Sequence, residues 1–237
     1  MFAVGCGGGA EPPAYVATGT KRVDPATTGD VAGRVVFEGA APQPAVLRTS
    51  ADRACAQGED IYDESLLVGA DGGLQNAFVY IKTGLDDYIF DVPTEPVVLD
   101  QKACRYEPHV FGVRVGQRVE ILNSDPTLHN VHAMPQANTE FNQGMPLQGM
   151  KLNQTFTAPE VGVPFKCDVH GWMASYGGIV EHPYFAVTDA TGAFALPRVP
   201  PGTYTVEVWH ETLGTRTQTI TVEPNGSVDL AVTFAQG

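Results

Sequence analysis

A chain of 237 residues, 43% hydrophobic and 17% charged, is long enough for one large or two small folded, soluble domains with a substantial core. Its 14 basic and 27 acidic residues give a net charge of -13, which repels phosphate and sets nucleic acid aside as a partner. No run approaches the ~18 apolar residues that a membrane-spanning helix needs. The acid is concentrated in residues 51–100, which hold eleven Asp or Glu against Arg53 and Lys82, whereas residues 101–182 hold seven acids and six bases. An acidic field beside a nearly neutral face would steer a basic partner; a solvated surface that aids solubility is the plainer reading.

The chain opens Met1-Phe2-Ala3-Val4-Gly5-Cys6, followed to about residue 27 by a Gly-, Pro-, Ala- and Thr-rich stretch without a sustained period, which predicts a flexible arm or tether. Val31 to Gly39 alternates and carries β-branched residues, predicting a strand, and residues 40–65 read as irregular. Asp71-Gly72-Gly73 marks a turn before a second strand over Leu74 to Thr83. From Val97 short strands are expected at 97–99, 110–115, 119–123, 131–134, 155–157 and 164–166, with residues 135–152 as a long loop. No amphipathic helix is apparent, and the spacing suits a Greek-key sandwich. After His182-Pro183 the texture changes to Thr188-Asp189, Gly192-Ala193-Phe194 and Pro200-Pro201-Gly202-Thr203-Tyr204.

The segment richest in chemistry is Cys167-Asp168-Val169-His170-Gly171-Trp172-Met173, which puts a thiolate, an imidazole and a thioether in one loop. A soft thiolate and borderline imidazoles bind copper strongly, and a weak thioether beside a His2Cys set is the donor set of blue-copper sites. The missing histidine is expected from Asn123 to His132, where His129 and His132 both stand. Residues three apart on a strand face opposite ways, so only one of them can point at the loop.

At these residues the sequence resembles the cupredoxins, with His129-Asn130 similar to the first ligand and its neighbour, and the Cys-x2-His-x2-Met spacing similar to the short-loop, amicyanin-like members. The resemblance covers about residues 96–182. It implies one mononuclear type 1 copper site with His129, Cys167, His170 and Met173 as ligands, and with Asn123 and Asn130 bonding the two ligand segments together. It implies further that His170 is the edge ligand and electron exit, in an apolar docking patch for which Trp172, Met134, Pro126 and Pro135 are candidates. His109, His182 and His210 are scattered and read as structural or surface residues.

The C-terminal pattern resembles the carboxypeptidase regulatory-like, or transthyretin-like, β-sandwich, whose opening strands are similar to Gly33 to Phe37 and Asn76 to Tyr80. The implied organisation is all-β: an arm over 1–27, a smaller sandwich split between 28–95 and 183–237, and a cupredoxin inserted over 96–182. Two domains in series, with residues 30–182 forming an elaborated cupredoxin, is the alternative.

Four cysteines stand at 6, 55, 104 and 167. With Cys167 on the metal and Cys6 terminal, Cys55 and Cys104 remain as a pair, implying an oxidising compartment and a bridge from host to insert; two buried thiols are the other reading. Cys6 after small residues resembles the end of a lipoprotein signal, although the basic and long apolar parts are missing; either the true start lies upstream or Cys6 is incidental.

The function expected is one-electron transfer by an extracytoplasmic, periplasmic copper protein, with a redox protein or membrane electron-transfer complex as partner and membrane association through Cys6 or that complex. A docking subunit that uses the cupredoxin as a scaffold in a photosynthetic or respiratory complex is the alternative. An enzyme is not expected, since the His-x-His and His-Cys-His patterns of type 2 and type 3 copper, and the second loop cysteine of a binuclear site, are missing from the sequence.

Overall fold

The computed structural model describes residues 19–57 and 59–235. Its strands fall into three groups along the chain. First come β1 (Gly29–Glu38) and β2 (Phe78–Thr83). The middle group is β3 (Val97–Lys102), β4 (Arg105–Glu107), β5 (Val110–Arg114), β6 (Arg118–Asn123), β7 (His129–Ala133), β8 (Phe141–Met145), β9 (Lys151–Thr155), β10 (Glu160–Lys166) and β11 (Ala174–Val180). The last group is β12 (Phe185–Val187), β13 (Ala193–Val199), β14 (Gly202–His210), β15 (Gly214–Val222) and β16 (Ser227–Ala235). The fold is all-β, and no helix among the described residues is long and apolar enough to cross a membrane.

Hydrogen bonding respects the grouping. Sheets β13-β1-β16 and β12-β2-β14-β15 draw only on the first and last groups; sheets β4-β3-β6-β9 and β5-β11-β10-β7-β8 draw only on the middle one. The alternation in β1 turns Val31, Val35 and Phe37 to the same side, where they are buried with Leu196, Leu230 and Phe234. β1 runs parallel to β16 from Asp30↔Ser227 to Glu38↔Ala235, so the two ends of the described chain are neighbours in one sheet. Gly33 permits this closeness, because a Cβ there would lie 1.9 Å from the Leu230 carbonyl oxygen. A second core gathers Leu99, Val113, Val119, Ile121, Val131 and Phe165 between the two middle sheets.

The two bodies meet through aromatics of the first and last strand groups laid on glycines of the middle one. Phe78, Val110 and Val180 form a third buried cluster, with Phe185 and Trp209 packed against it. A Cβ at Gly112 would come 2.2 Å from the Phe185 ring, one at Gly178 2.3 Å from Phe78, and one at Gly162 2.7 Å from Trp209.

Several elements depart from the pattern expected. β8 lies inside the expected loop 135–152, and the strand expected at 155–157 ends instead at Thr155. Both β8 and β9 are sheet edges whose outward residues are polar, so their alternation is faint in the sequence. β11 was hidden by Gly177 and Gly178, which are poor strand formers retained where aromatics need the space.

The arm expected over 1–27 is anchored at its end. Thr20 and Lys21 donate backbone N–H groups to the Asp87 carbonyl at 2.9 and 2.8 Å, and Lys21–Asp87 and Arg22–Asp91 are exposed ion pairs. Residues 1–18, including Cys6, lie outside the described residues. Residues 45–62, placed by sequence in the host half, pack elsewhere. Cys55 and Ile61 are buried in the second core with Leu47 against it, and Cys55 is bonded to Cys104. The bridge therefore fastens this excursion, rather than the host sandwich proper, to the middle strands.

Two expectations follow. Gly178→Ala should lower stability by about 1–3 kcal/mol through overpacking against Phe78, whereas Gly144→Ala, which meets nothing within 4 Å, should be close to neutral; urea midpoints of the two variants decide. His182 is buried between β11 and β12, with Nε2–H donated to the Ile81 carbonyl at 2.7 Å and Nδ1 accepting the Tyr184 N–H at 3.2 Å. Only the neutral ring can do both, and burial pushes its pKa from 6.5 down to about 4. The unfolded chain therefore binds the proton more readily, so this contribution is intact above pH ~6.5 and is lost as pH falls towards 4, on the order of 3 kcal/mol. Urea titrations across that window should show a smaller loss in His182→Gln.

Candidate metal centre

Two loops at one end of the middle sandwich build the site. The first links β6 to β7. Asn123, fully buried, donates from Nδ2 to the carbonyls of Thr127 at 2.9 Å and Met145 at 2.7 Å, and accepts the Asp125 N–H at 3.0 Å. This shapes the turn that delivers His129. The second loop links β10 to β11. Cys167 donates its N–H to the Met173 carbonyl at 3.3 Å and Met173 donates to the His170 carbonyl at 2.9 Å, so the loop closes on itself.

Asn130 lashes the loops together. Its Oδ1 accepts the Asp168 N–H at 2.6 Å and the Val169 N–H at 3.4 Å, while its Nδ2 donates to Asn142 at 2.7 Å and Asp168 at 3.1 Å. Beneath them the buried Tyr106 hydroxyl lies 2.7 Å from the Asn130 carbonyl and 3.0 Å from that of Lys166.

This framework brings His129 Nδ1, His170 Nδ1 and Cys167 Sγ together. Ligand atoms of these three buried residues all lie within 4.8 Å of one another, with 2.9 Å between the two Nδ1 atoms and 3.8 Å from Cys167 Sγ to His170 Nδ1. The outward nitrogens are committed. His129 Nε2 is 2.9 Å from Asp125 Oδ2, and His170 Nε2 is 3.0 Å from Asp52 Oδ2. A carboxylate only accepts, so both Nε2 atoms carry the hydrogen and both Nδ1 lone pairs face inward. Two such lone pairs 2.9 Å apart repel unless a proton or a metal cation lies between them and the thiolate.

The electrostatics agree. Burial works against a charged His129, but Asp125 and the Cys167 sulfur outweigh it and hold the pKa up at about 9. Burial likewise opposes the Cys167 thiolate, yet His129 and the N–H groups of Asn130, His170 and Val169 pull the thiol below its ordinary value. Asp52 is held down at about 2, first by the Thr127 hydroxyl, then by the Ala54 N–H and His170. For Asp125, burial is overcome by His129 and the N–H groups of Cys104 and Ala103. In the absence of metal His129 Nδ1 therefore holds a proton beside the thiolate; with that proton released, two imidazole lone pairs, a thiolate and two ionised carboxylates behind them form a site that favours a cation with some affinity for sulfur.

Met173 is buried in the same core as Cys167. His132 points the other way, partly exposed, between Glu140 at 3.0 Å and Asp168 at 3.2 Å. The expected docking patch does not assemble. Met134 and Pro135 follow the far end of β7, where Met134 pairs with Pro164, while Pro126 is exposed near the site and Trp172 is half-buried, its ring tilted against that of His170 with centroids 5.0 Å apart and its Nε1–H donated to the Cys104 carbonyl at 3.0 Å. The large apolar side chains that are exposed next to the ligands are Leu128 and Val169.

The larger correction concerns His170 itself. Instead of an exposed edge it is 2% accessible, because residues 45–57 lie over it. Sequence reasoning missed Asp52 and Asp125 entirely. Asp125, four residues before His129 in the turn, could have been found by asking what holds the outward ring nitrogen; Asp52, 118 residues from His170, left no local signal.

Residues 179–235 match the model of the carboxypeptidase regulatory-like domain family. Among solved structures, the chain is similar to a Cu-containing nitrite reductase (NirK) from Thermus scotoductus SA-01, at 20% identity and TM-score 0.34 over 42% of this chain and 25% of that one. It therefore spans about a quarter of the reductase. It is also similar to an oxidized amicyanin mutant, at 21% identity and TM-score 0.33 over 43% of this chain and 97% of that one. A purple cupredoxin from Nitrosopumilus maritimus is similar at 21% identity and TM-score 0.30 over 35% and 98%. No curated protein matches the sequence significantly. The family match bears out the carboxypeptidase regulatory-like reading of the C-terminal strands, and the middle strands form two sheets of their own beside it.

Removing the carboxylate behind His129 should loosen the site without dismantling the donor set. Asp125→Ala is expected to weaken Cu(II) binding by roughly 10–100-fold in chelator competition, with His132→Ala unchanged.

Proposed function

We propose that the protein is an extracytoplasmic one-electron carrier in which His129, Cys167, His170 and Met173 hold a single copper ion. The observation that carries this reading is the convergence of two Nδ1 atoms and one low-pKa thiol within 4.8 Å, with both outward ring nitrogens tied to carboxylates. Zinc would accept the same nitrogens and sulfur, but at a given N/S site the divalent series places copper above zinc, and a thiolate also suits Cu(I). When bound, copper supplies a one-electron couple between Cu(I) and Cu(II).

The protein's part is to keep the donors still. Cys167 and the loop after it hang between β10 and β11, His129 begins β7, and Asn130 reaches that loop by three hydrogen bonds, to the Asp168 and Val169 N–H groups and the Asp168 carboxylate, with a fourth to Asn142 on β8. Burial of all four donor residues keeps bulk water from the reacting atoms. The Cys55–Cys104 disulfide supports an oxidising compartment. A net charge of -13 favours a basic redox partner. Insertion of residues 96–182 into a host of 28–95 and 183–237 is part of the same proposal, as is membrane attachment through Cys6 or a partner complex.

One observation favours the second reading, a docking subunit of a membrane redox complex that uses the sandwich as a scaffold: His170, the expected electron exit, is covered.

The deciding measurement is the visible spectrum of the oxidised protein after adding Cu(II), for wild type and Cys167→Ala. The electron-transfer reading expects an intense band towards the red end that disappears in the variant. A correctly folded wild type without that band would overturn it and leave the scaffold reading.

A further inference from the structure

Residues 45–57 cross the face that covers His170. The root of this excursion is a short hairpin, with Leu47 N–H donating to the Ile61 carbonyl at 2.7 Å and Asp63 N–H to the Ala45 carbonyl at 2.9 Å. Leu47 and Ile61 seat that root on the second core. Its tip is held differently. From Arg48 to Ala56 the one buried residue is Cys55, and every other residue is half-buried or exposed. Cys55 is thus the one residue of the tip seated in the second core, and two side chains attach the tip to the metal end. Asp52 bonds the Thr127 hydroxyl at 2.8 Å and His170 Nε2 at 3.0 Å, and Cys55 is bonded to Cys104.

The disulfide sits against the centre itself. Cys55 Sγ is 3.8 Å from His170 Nε2, and Cys104 groups with Asp125 and His129 within 4.8 Å. On the loop that carries His170, Asp168, Val169 and Gly171 are exposed while the imidazole between them is 2% accessible. Trp172 of the same loop covers one side of the ring, with centroids 5.0 Å apart, and the Nε2 edge is covered from outside the loop by Asp52 and Cys55.

We propose that residues 45–57 are a flap over the His170 edge, latched shut by the Cys55–Cys104 disulfide, and that reduction of this bond by a dithiol opens the centre to metal exchange. A thiolate of the dithiol attacks one sulfur, breaking the Cys55–Cys104 bond and forming a mixed disulfide. Its second thiol then displaces the protein sulfur, leaving the reductant as a cyclic disulfide and passing two electrons and two protons to Cys55 and Cys104. What remains on the tip is Asp52 with partly exposed hydrogen bonds, and such a segment opens locally without global unfolding. The flap's geometry is independent of the metal reading; only what the opening admits rests on that reading.

The test uses the metal-free full chain and diethyl pyrocarbonate, with labelled histidines located by peptide mass spectrometry. Wild type with the disulfide intact should leave His170 protected. Cys55→Ser/Cys104→Ser, and wild type treated with excess dithiol, should label His170 at least about tenfold faster while buried His182 stays protected. If His170 remains protected in both, Asp52 and the hairpin root hold the flap unaided and the proposal fails. If His182 becomes reactive together with His170, the bond is a general structural brace and the proposal fails equally. Chelator capture of copper from the loaded protein should speed up in the same variant. The labelling result stands whether or not the copper spectrum appears, so the two readings can fail separately.

Discussion

Everything at the metal end depends on how the two imidazoles are held from behind. A histidine with both ring nitrogens free has two tautomers and a rotatable ring; one whose Nε2–H is fixed on a carboxylate has one tautomer and one direction for its remaining lone pair. Asp125 does this for His129 and Asp52 for His170, at 2.9 and 3.0 Å. The two carboxylates are themselves fixed, Asp125 by the N–H groups of Ala103 and Cys104 and Asp52 by Thr127 and Ala54. The disulfide ties these supports together, since Cys104 belongs to the turn that grips Asp125 while Cys55 lies three residues beyond Asp52. The donor set is therefore oriented by three stretches of chain far apart in sequence, and it is the folded sandwich that makes their meeting reproducible.

The host sandwich contributes through contacts that look unremarkable in isolation. Its strands β1 and β16, which stand on either side of the middle group in sequence, pair in parallel. Its aromatic residues, Phe78, Phe185 and Trp209, lie on backbone of the middle strands where a methyl group would clash. Such contacts bring flat rings within van der Waals range of strand backbone and gain dispersion along the whole ring edge. Between β1 and β2 the chain also leaves the host altogether, and that excursion carries Asp52 and Cys55 to the metal end.

What could be read from the sequence divides along physical lines. The all-β class, the buried strands around Val31, Val79, Val113, Ile121 and Phe165, and the cluster of His129, Cys167 and His170 were legible because they rest on local alternation or on a short motif. Edge strands β8 and β9 were not, because a polar edge has one weakly apolar face. The docking patch failed for a similar reason: Met134 and Pro135 are close to His129 in sequence, but five or six residues of extended β7 carry them roughly 16–20 Å along the strand. Asp52 could not be found at all from local pattern. The one clue was Cys55, since pairing it with Cys104 obliges the residues just before it to lie near whatever Cys104 borders.

Covering His170 also changes what the rest of the surface must do in the electron-transfer reading. Tunnelling favours short, covalently or closely packed routes, and a bare imidazole edge normally offers the shortest. Here the ring's outer face meets Asp52, Cys55 and the Trp172 ring at 5.0 Å. A partner touching this end therefore reaches the ring through Trp172 or through the flap, with Leu128 and Val169 as the exposed apolar contacts beside it. A mobile carrier gains nothing from that extra layer, whereas a subunit with a fixed neighbour can use it to choose which partner comes within range. The feature that weakens the simplest carrier model thus defines where specificity would be built: in the residues of the flap, not in the ligands it covers.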